Sequence, residues 1–382
     1  MKNKENKRSK ASCILLSAIF IGYVATYTLG TFLIKDRDFS EMENRTLAQK
    51  PELTTEKVFS GEFESGFESY MSDQIFVKDA MMSLKTCCDY FLGKTYQNGV
   101  YFGKDGYMLQ RYTQNTAQVE KNISYINTFA DKLGKPVDFI LAPNAIDLNA
   151  DKLPAGAVTD DQNDTIALVQ SKLSQNVTLF SARDTLADLQ KQGVQAYYRT
   201  DHHWTSSAAR AVCDAWLNTI GYAGTGDEYE YRAVPNFYGT LYSKAPASFV
   251  KPDTFGYFTN KSAKYTVKYE KENKFAYDIT DTSYLTKKDK YASYLGGNFA
   301  QLKITSDSAE RGKEKILVLK DSYANSMVQY LADKFDEVYM VDLRYSHFDA
   351  VSEMVEKYGI DRVLLVYNVD FINEDTNFIW LE

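Results

Sequence analysis

A chain of 382 residues that is 44% hydrophobic and 25% charged has the balance of a folded domain with a sizeable core, which excludes a disordered or low-complexity protein. Its net charge of −7 is unevenly split: the first ten residues, MKNKENKRSK, carry +4 and the remainder −11, so the bulk of the chain lacks the basic patch that nucleic acid or an anionic lipid surface requires. Four cysteines, with Cys13 in an apolar run, Cys87 and Cys88 adjacent and Cys213 alone, make no disulfide framework.

Residues 11–34, ASCILLSAIFIGYVATYTLGTFLI, run without a charge for 24 residues, long enough as a helix to cross a hydrocarbon core of about 30 Å. Lys2, Lys4, Lys7, Arg8 and Lys10 precede it, so the positive-inside tendency places residues 1–10 as a cytoplasmic tail and everything after Lys35 outside the cell membrane. A cleaved signal peptide shares the charged start, but no small-x-small cleavage site follows, and an uncleaved single-pass anchor is the expectation. Residues 35–92 form a juxtamembrane region in which Phe63, Phe67 and Tyr70, then Phe76, Met81 and Leu84, recur at helical spacing. NGVYFGKDGYMLQ then reads as a hairpin about Gly103 to Gly106.

From about residue 115 the pattern becomes strand then helix. Strands are expected at 137–143, 177–180, 196–199, 316–320, 337–343 and 362–368, with helices at about 115–133, 162–174, 182–192, 205–219, 324–335 and 347–358. Continuous apolar strands alternating with amphipathic helices predict an α/β domain over 93–382: a mostly parallel sheet, helices on both faces, and chemistry beyond the carboxyl ends of the strands. Residues 221–313, rich in Tyr, Lys, Asp and Thr, break the rhythm and read as an inserted β-rich segment.

Two of the three histidines are consecutive in YYRTDHHWTSSAA, between an expected strand and a helix. Asp201, two residues before His203, is placed to accept from its Nδ1 hydrogen, fixing the tautomer and leaving Nε2 as a base. His202 and Trp204 flank it, and His202 reads more simply as a packing residue. Neighbouring histidines in extended chain face opposite ways, which argues against one metal ion between them. In ILVLKDSYANSMVQYL, Ser322 falls on a strand-to-helix turn, near backbone N–H groups able to stabilise an oxyanion. A serine there is either an N-cap or a nucleophile.

Together, DRDFSEMENRTLAQKPEL, NGVYFGKDGYM, TDHHWTSSAA, FYGTLYSKA and VLKDSYANSMVQYL resemble the DHHW family, whose name spells residues 201–204. That family is similar to the SGNH-hydrolase-like domains of alginate O-acetylation proteins, in which an Asp-x-His motif precedes the serine. The resemblance implies Ser322 as nucleophile, His203 as general base and Asp201 as its orienting carboxylate. His202 stands where those proteins have Thr and is not implied to be catalytic. Asn144 and Gly239 are candidate oxyanion residues, Arg344 a candidate for orienting substrate and Trp204 a further substrate or oxyanion candidate; a plain loop or strand-end role is the alternative for the first three. The implied activity is O-acetylation of a cell-envelope or secreted polysaccharide, with deacetylation by the same triad, or non-catalytic glycan binding and assembly, as alternatives. No coenzyme motif or metal site is expected, so the acyl group would come from a partner such as a membrane-bound O-acyltransferase.

Overall fold

The computed structural model describes residues 2–226, 228–308, 311–346 and 351–381. The chain divides into two compact units, Met1–Leu92 with Pro246–Phe249, and Gly93–Ala245 with Val250–Glu382.

In the first unit, Lys2–Leu33 is one helix. Its apolar part, Lys10–Leu33, is 24 residues long and reaches a mean hydropathy of 1.8 over 18 residues, and Ile14, Leu15, Leu16, Ile19 and Phe20 are exposed along it. By length and composition it is able to cross a membrane, as a signal sequence also is. Helices Glu62–Gln74 and Lys78–Phe91 follow, and Phe63, Phe67 and Tyr70 form a ladder of ring contacts at the predicted helical spacing. Asp73 pins the preceding loop: it accepts from the Arg45 guanidinium, Lys78 Nζ at 3.0 Å and the Ala48 N–H at 2.8 Å. Despite burial, those partners hold its carboxyl well below the usual range.

The second unit is built on an eight-stranded sheet, whose strands are numbered in chain order: β1 Val137–Ala142, β2 Val177–Ser181, β3 Tyr265–Tyr269, β4 Lys274–Ala276, β5 Gln301–Ser306, β6 Lys315–Lys320, β7 Glu337–Val341 and β8 Arg362–Asn368. Their order is β4-β3-β5-β7-β6-β8-β1-β2. The five strands β7, β6, β8, β1 and β2 are parallel, with Val318 of β6 opposite Met340 and Leu364. β1 and nearly all of β6 and β8 are buried residue after residue, as strands covered on both faces must be. Thr116–Leu133, capped by the Asn115 side chain, buries Val119, Ile123, Ile126 and Phe129 on one stripe and packs beside Gln162–Lys172 and Val369–Glu374. Ser206–Thr219, capped by Thr205, packs against Arg183–Lys191.

The 221–313 segment is β-rich as expected, yet three of its strands, β3, β4 and β5, continue the sheet in antiparallel sense from β7. Tyr229–Phe237 and Asp253–Asn260 form a separate antiparallel ribbon. The predicted hairpin appears as Val100–Phe102 paired with Met108–Gln110.

Two elements differ from the sequence reading. Residues 196–199 are not a sheet strand: they fold back on residues 203–205 through one bridge, Tyr197 to Trp204, and the bonds Tyr198 N–H to His203 O and Thr205 N–H to Ala196 O. The Asp253 carboxylate takes the Arg199 and Thr200 N–H groups at 3.1 and 2.8 Å, so neither donates to a neighbouring strand. The helix expected over 324–335 is a 3-10 turn, Ser322–Ser326, then a short helix, Val328–Ala332. The last predicted helix is present as Val351–Tyr358, while 347–350, including His347, lie outside the described residues.

Candidate active site

At the carboxyl end of β6 the chain turns sharply, and Asp321 makes the turn. Its Oδ1 accepts from the Tyr323 N–H at 2.8 Å and caps the 3-10 segment. Its Oδ2 accepts from the Asn368 N–H and side-chain amide, both at 2.7 Å, tying the turn to the end of β8. Burial pushes the Asp321 carboxyl up to about 6 against these stabilising N–H groups. Because Asp321 does the capping, the hydroxyl of Ser322 is released from that role.

That hydroxyl lies 2.7 Å from His203 Nε2. On the other side of the ring, His203 Nδ1 is 2.5 Å from Asp201 Oδ1, which also accepts the His203 backbone N–H at 2.9 Å. Asp201 Oδ2 accepts the Thr240 N–H at 2.7 Å and the Thr240 hydroxyl at 3.1 Å. Burial opposes ionisation of Asp201, only 2% exposed, but His203, His202 and these donors hold its carboxyl far below the ordinary range. An ionised Asp201 assigns the His203 hydrogen to Nδ1 and leaves Nε2 to receive the Ser322 proton. The tightly folded 196–205 loop is what lets a carboxylate and an imidazole two residues apart face each other.

The His203 ring lies between two others. Tyr291 stacks on it with centroids 3.6 Å apart and planes 6° apart, and His202 lies 3.8 Å away at 37°. The Tyr291 hydroxyl donates at 3.1 Å to the Ser322 carbonyl, so one residue braces both the imidazole and the serine.

The other predicted residues fall in distinct places. Trp204 is fully buried and donates from Nε1 to Ser326 Oγ at 2.9 Å, fastening the serine turn from behind and facing no open space. Gly239 donates its N–H to Thr200 Oγ1 at 3.2 Å, so this donor is already used; a Cβ there would sit 2.2 Å from the Asp201 side chain. Its lack of a side chain is what admits Asp201. Asn144 is buried and donates to Asn368 Oδ1 at 3.1 Å while accepting from the Asp370 N–H at 3.0 Å, lacing the ends of β1 and β8 together. Arg344 is held by two bonds to Asp342, at 2.8 and 2.6 Å; Asp342 also takes buried Lys320 at 3.2 Å.

Asn144, Arg344, His202 and Thr240 line one open cleft of about 560 Å³ beyond the carboxyl ends of β1, β7 and β8, with Gln110, Lys244, Asp370 and Phe371. One atom each from Asp201, His202 and His203 lie within 4.8 Å of one another, close enough to consider a metal ion. The atoms of Asp201 and His203 are spent on hydrogen bonds, however: both Asp201 oxygens carry two donors and both His203 nitrogens are engaged.

Thr240, Tyr291 and Asp321 hold the Asp201, His203 and Ser322 arrangement in place, and the sequence reading misses them. Asp321 has a signal in its place at the strand end before Ser322; Thr240 and Tyr291 come from the aromatic-rich segment and carry no local mark.

The sequence profile of the DHHW protein family matches residues 92–341. Among solved structures the chain is similar to a DHHW family protein from Eubacterium siraeum, with 24% identity over 74% of this chain and 94% of that one and a TM-score of 0.63. It is also similar to Bacillus cereus PatB1, at 23% identity over 72% of this chain and 97% of that one, TM-score 0.60, a protein solved as well with a sulfonyl adduct. A more remote likeness, 15% identical over 72% of this chain and 93% of the other with a TM-score of 0.44, is to the O-acetyltransferase domain of Pseudomonas putida AlgJ. No functionally curated protein matches the chain. The fold is thus a mostly parallel α/β architecture shared with the DHHW family protein and PatB1 structures.

Proposed function

The chain belongs to the DHHW family, and from that footing we propose that it is an O-acetyltransferase working on a cell-envelope or secreted polysaccharide, through Ser322 as nucleophile, His203 as general base and Asp201 as the carboxylate that orients it. The observation that carries the proposal is the unbroken relay of 2.7 Å from Ser322 Oγ to His203 Nε2 and 2.5 Å from His203 Nδ1 to Asp201.

The chemistry runs in two halves. Ser322 Oγ attacks the acetyl carbonyl as its proton passes to His203 Nε2. The bond to the donor's leaving oxygen then breaks, that oxygen takes the proton, and acetyl-Ser322 remains. A sugar hydroxyl next gives its proton to His203 and attacks the acetyl-serine, and the proton returns to Ser322 Oγ as the new ester leaves. Asp201 stabilises the imidazolium present in both halves. The choice of acetyl transfer rests on the likeness of the Asp-x-His and serine segments to those of alginate O-acetylation proteins. The polar cleft beside His202, with its amides, carboxylates and lysine, suits a hydroxyl-rich acceptor.

The N-terminal span supports anchoring, and the five cations before it favour an α/β domain on the outer side of the membrane, where acyl groups would arrive from a membrane-bound O-acyltransferase. An esterase shares every step but the last acceptor, and the openness of the cleft to water favours keeping that reading as the second one. p-Nitrophenyl acetate hydrolysis tests the site. Ser322→Ala and His203→Ala are expected to lose about 10³-fold or more in rate, with circular dichroism unchanged. A sulfonyl fluoride should label Ser322 in the wild type and not in His203→Ala. Equal rates in wild type and variants would leave only a binding module.

A further inference from the structure

His202 is the one ring at the site without a task in acyl transfer. Its Nδ1 lies 2.5 Å from Thr240 Oγ1. That hydroxyl has a single hydrogen and donates it to Asp201 Oδ2, an ionised carboxylate that only accepts. Thr240 Oγ1 is therefore the acceptor in its bond with His202, and His202 carries its proton on Nδ1. Burial and the neighbouring His203 push the His202 imidazole down to about 3, so the ring is neutral at ordinary pH. A neutral ring with its hydrogen on Nδ1 has a lone pair on Nε2. Among the described residues, none is bonded to that atom.

The ring forms part of the cleft wall, with Thr240, Gln110, Lys244 and Asp370, and its centroid is 3.8 Å from that of His203. Ser322 and His203 do not themselves line the cleft; His202 and Thr240 are the wall residues that touch the triad, and the His202 ring sets an uncharged hydrogen-bond acceptor beside the base. Building on acyl transfer through Ser322, we propose that His202 Nε2 accepts a hydrogen bond from a hydroxyl of the acceptor sugar adjacent to the one being acylated, and so holds a vicinal diol in place against acetyl-Ser322. Water has no second hydroxyl fixed beside the first, and gains nothing comparable from this contact. His202 is then the residue that favours transfer over hydrolysis by positioning the acceptor. It neither gains nor loses a proton: the acceptor's reacting hydroxyl gives its hydrogen to His203, the bond from Ser322 Oγ to the acetyl carbon breaks, and the sugar ester forms.

The discriminating variant is His202→Asn, whose amide NH2 can replace the Nδ1 donor to Thr240 while the Nε2 lone pair is lost. Full-length protein in detergent would be given p-nitrophenyl acetate with cellopentaose or chitopentaose, following p-nitrophenol by absorbance and acetylated oligosaccharide by mass spectrometry. The ratio of acetylated sugar to free acetate is expected to fall tenfold or more in His202→Asn, through a raised KM for the oligosaccharide, and to fall further than p-nitrophenol release does. A ratio equal to wild type overturns the proposal, since any loss common to transfer and hydrolysis is a structural effect on Asp201. Wild type that forms acetyl-Ser322 but acetylates neither oligosaccharide also overturns it. Wild type that never forms acetyl-Ser322 overturns the underlying acyl-transfer reading instead.

Discussion

Replacing Gly239 by alanine tests whether Asp201 is held as tightly as the structure shows. The backbone at Gly239, with φ −83° and ψ −165°, is ordinary extended chain that alanine adopts freely, so any effect comes from the added methyl group alone. That methyl would lie 2.2 Å from both Asp201 Cβ and Oδ2, where ordinary contact begins at 3.4 Å. One side must therefore yield by about 1.2 Å, the difference between those two distances. Moving the carboxylate takes it from hydrogen-bond reach of His203 Nδ1, now at 2.5 Å; moving the 239–240 backbone withdraws the Thr240 N–H from Asp201, now at 2.7 Å. A misplacement of about 1 Å in a catalytic group costs on the order of 10²-fold in rate, and losing the orienting carboxylate altogether about 10⁴-fold. Gly239→Ala is therefore expected to cut kcat for p-nitrophenyl acetate by about 10²- to 10³-fold, or ~3–4 kcal/mol of barrier. Overpacking should cost about 1–3 kcal/mol of stability, seen as a lower Tm with folding retained. A folded variant keeping more than half of wild-type activity would refute the account of how Asp201 is positioned.

Tyr291→Phe keeps the stack on His203 but removes the hydroxyl bond to the Ser322 carbonyl, and should lower kcat by about 3- to 10-fold, in line with about 0.5–1.5 kcal/mol for one such bond; Tyr291→Leu should lose more, and equal rates in the two would assign the effect to the hydroxyl alone. Asp370 has its carboxyl pushed up to about 7, first by burial and then by Glu374. The folded state therefore holds a proton that the unfolded chain has released above its own value near 4, so stability should decline as pH rises from about 4 to 7 and level off above. Asp370→Asn should flatten that decline in Tm against pH, and an unaltered slope would show that another group causes it. Finally, the full chain should stay with membranes through alkaline carbonate extraction and appear at its uncleaved mass, and removal of residues 1–34 should release it; a shorter mature mass would identify residues 11–34 as a signal sequence instead.

The parts of this protein that were legible from the sequence are those whose physics is local. The apolar runs of β1, β6, β7 and β8 are strands because a segment apolar on both faces has to be covered on both, and the stripe of Val119, Ile123, Ile126 and Phe129 is a helix for the corresponding reason at period 3.6. The pairing of Asp201 with His203 spans two residues, and the turn at Ser322 follows from a strand ending where a helical segment starts. Where distant segments compete for the same backbone, local pattern misled: YYR at 197–199 has the composition of a strand, but the carboxylate of Asp253, 54 residues away, takes the Arg199 N–H and bends the segment into the loop that carries the histidines. Only the folded chain determined that Thr240 and Tyr291 close around Asp201 and His203, that Gly239 leaves room for a carboxylate, and that Trp204 fastens the serine turn rather than facing the cleft. Each of those contacts joins residues 31 or more positions apart, and no periodicity or composition records a contact of that kind, because it forms only when distant segments, the inserted one for Gly239, Thr240 and Tyr291, pack together in the folded chain.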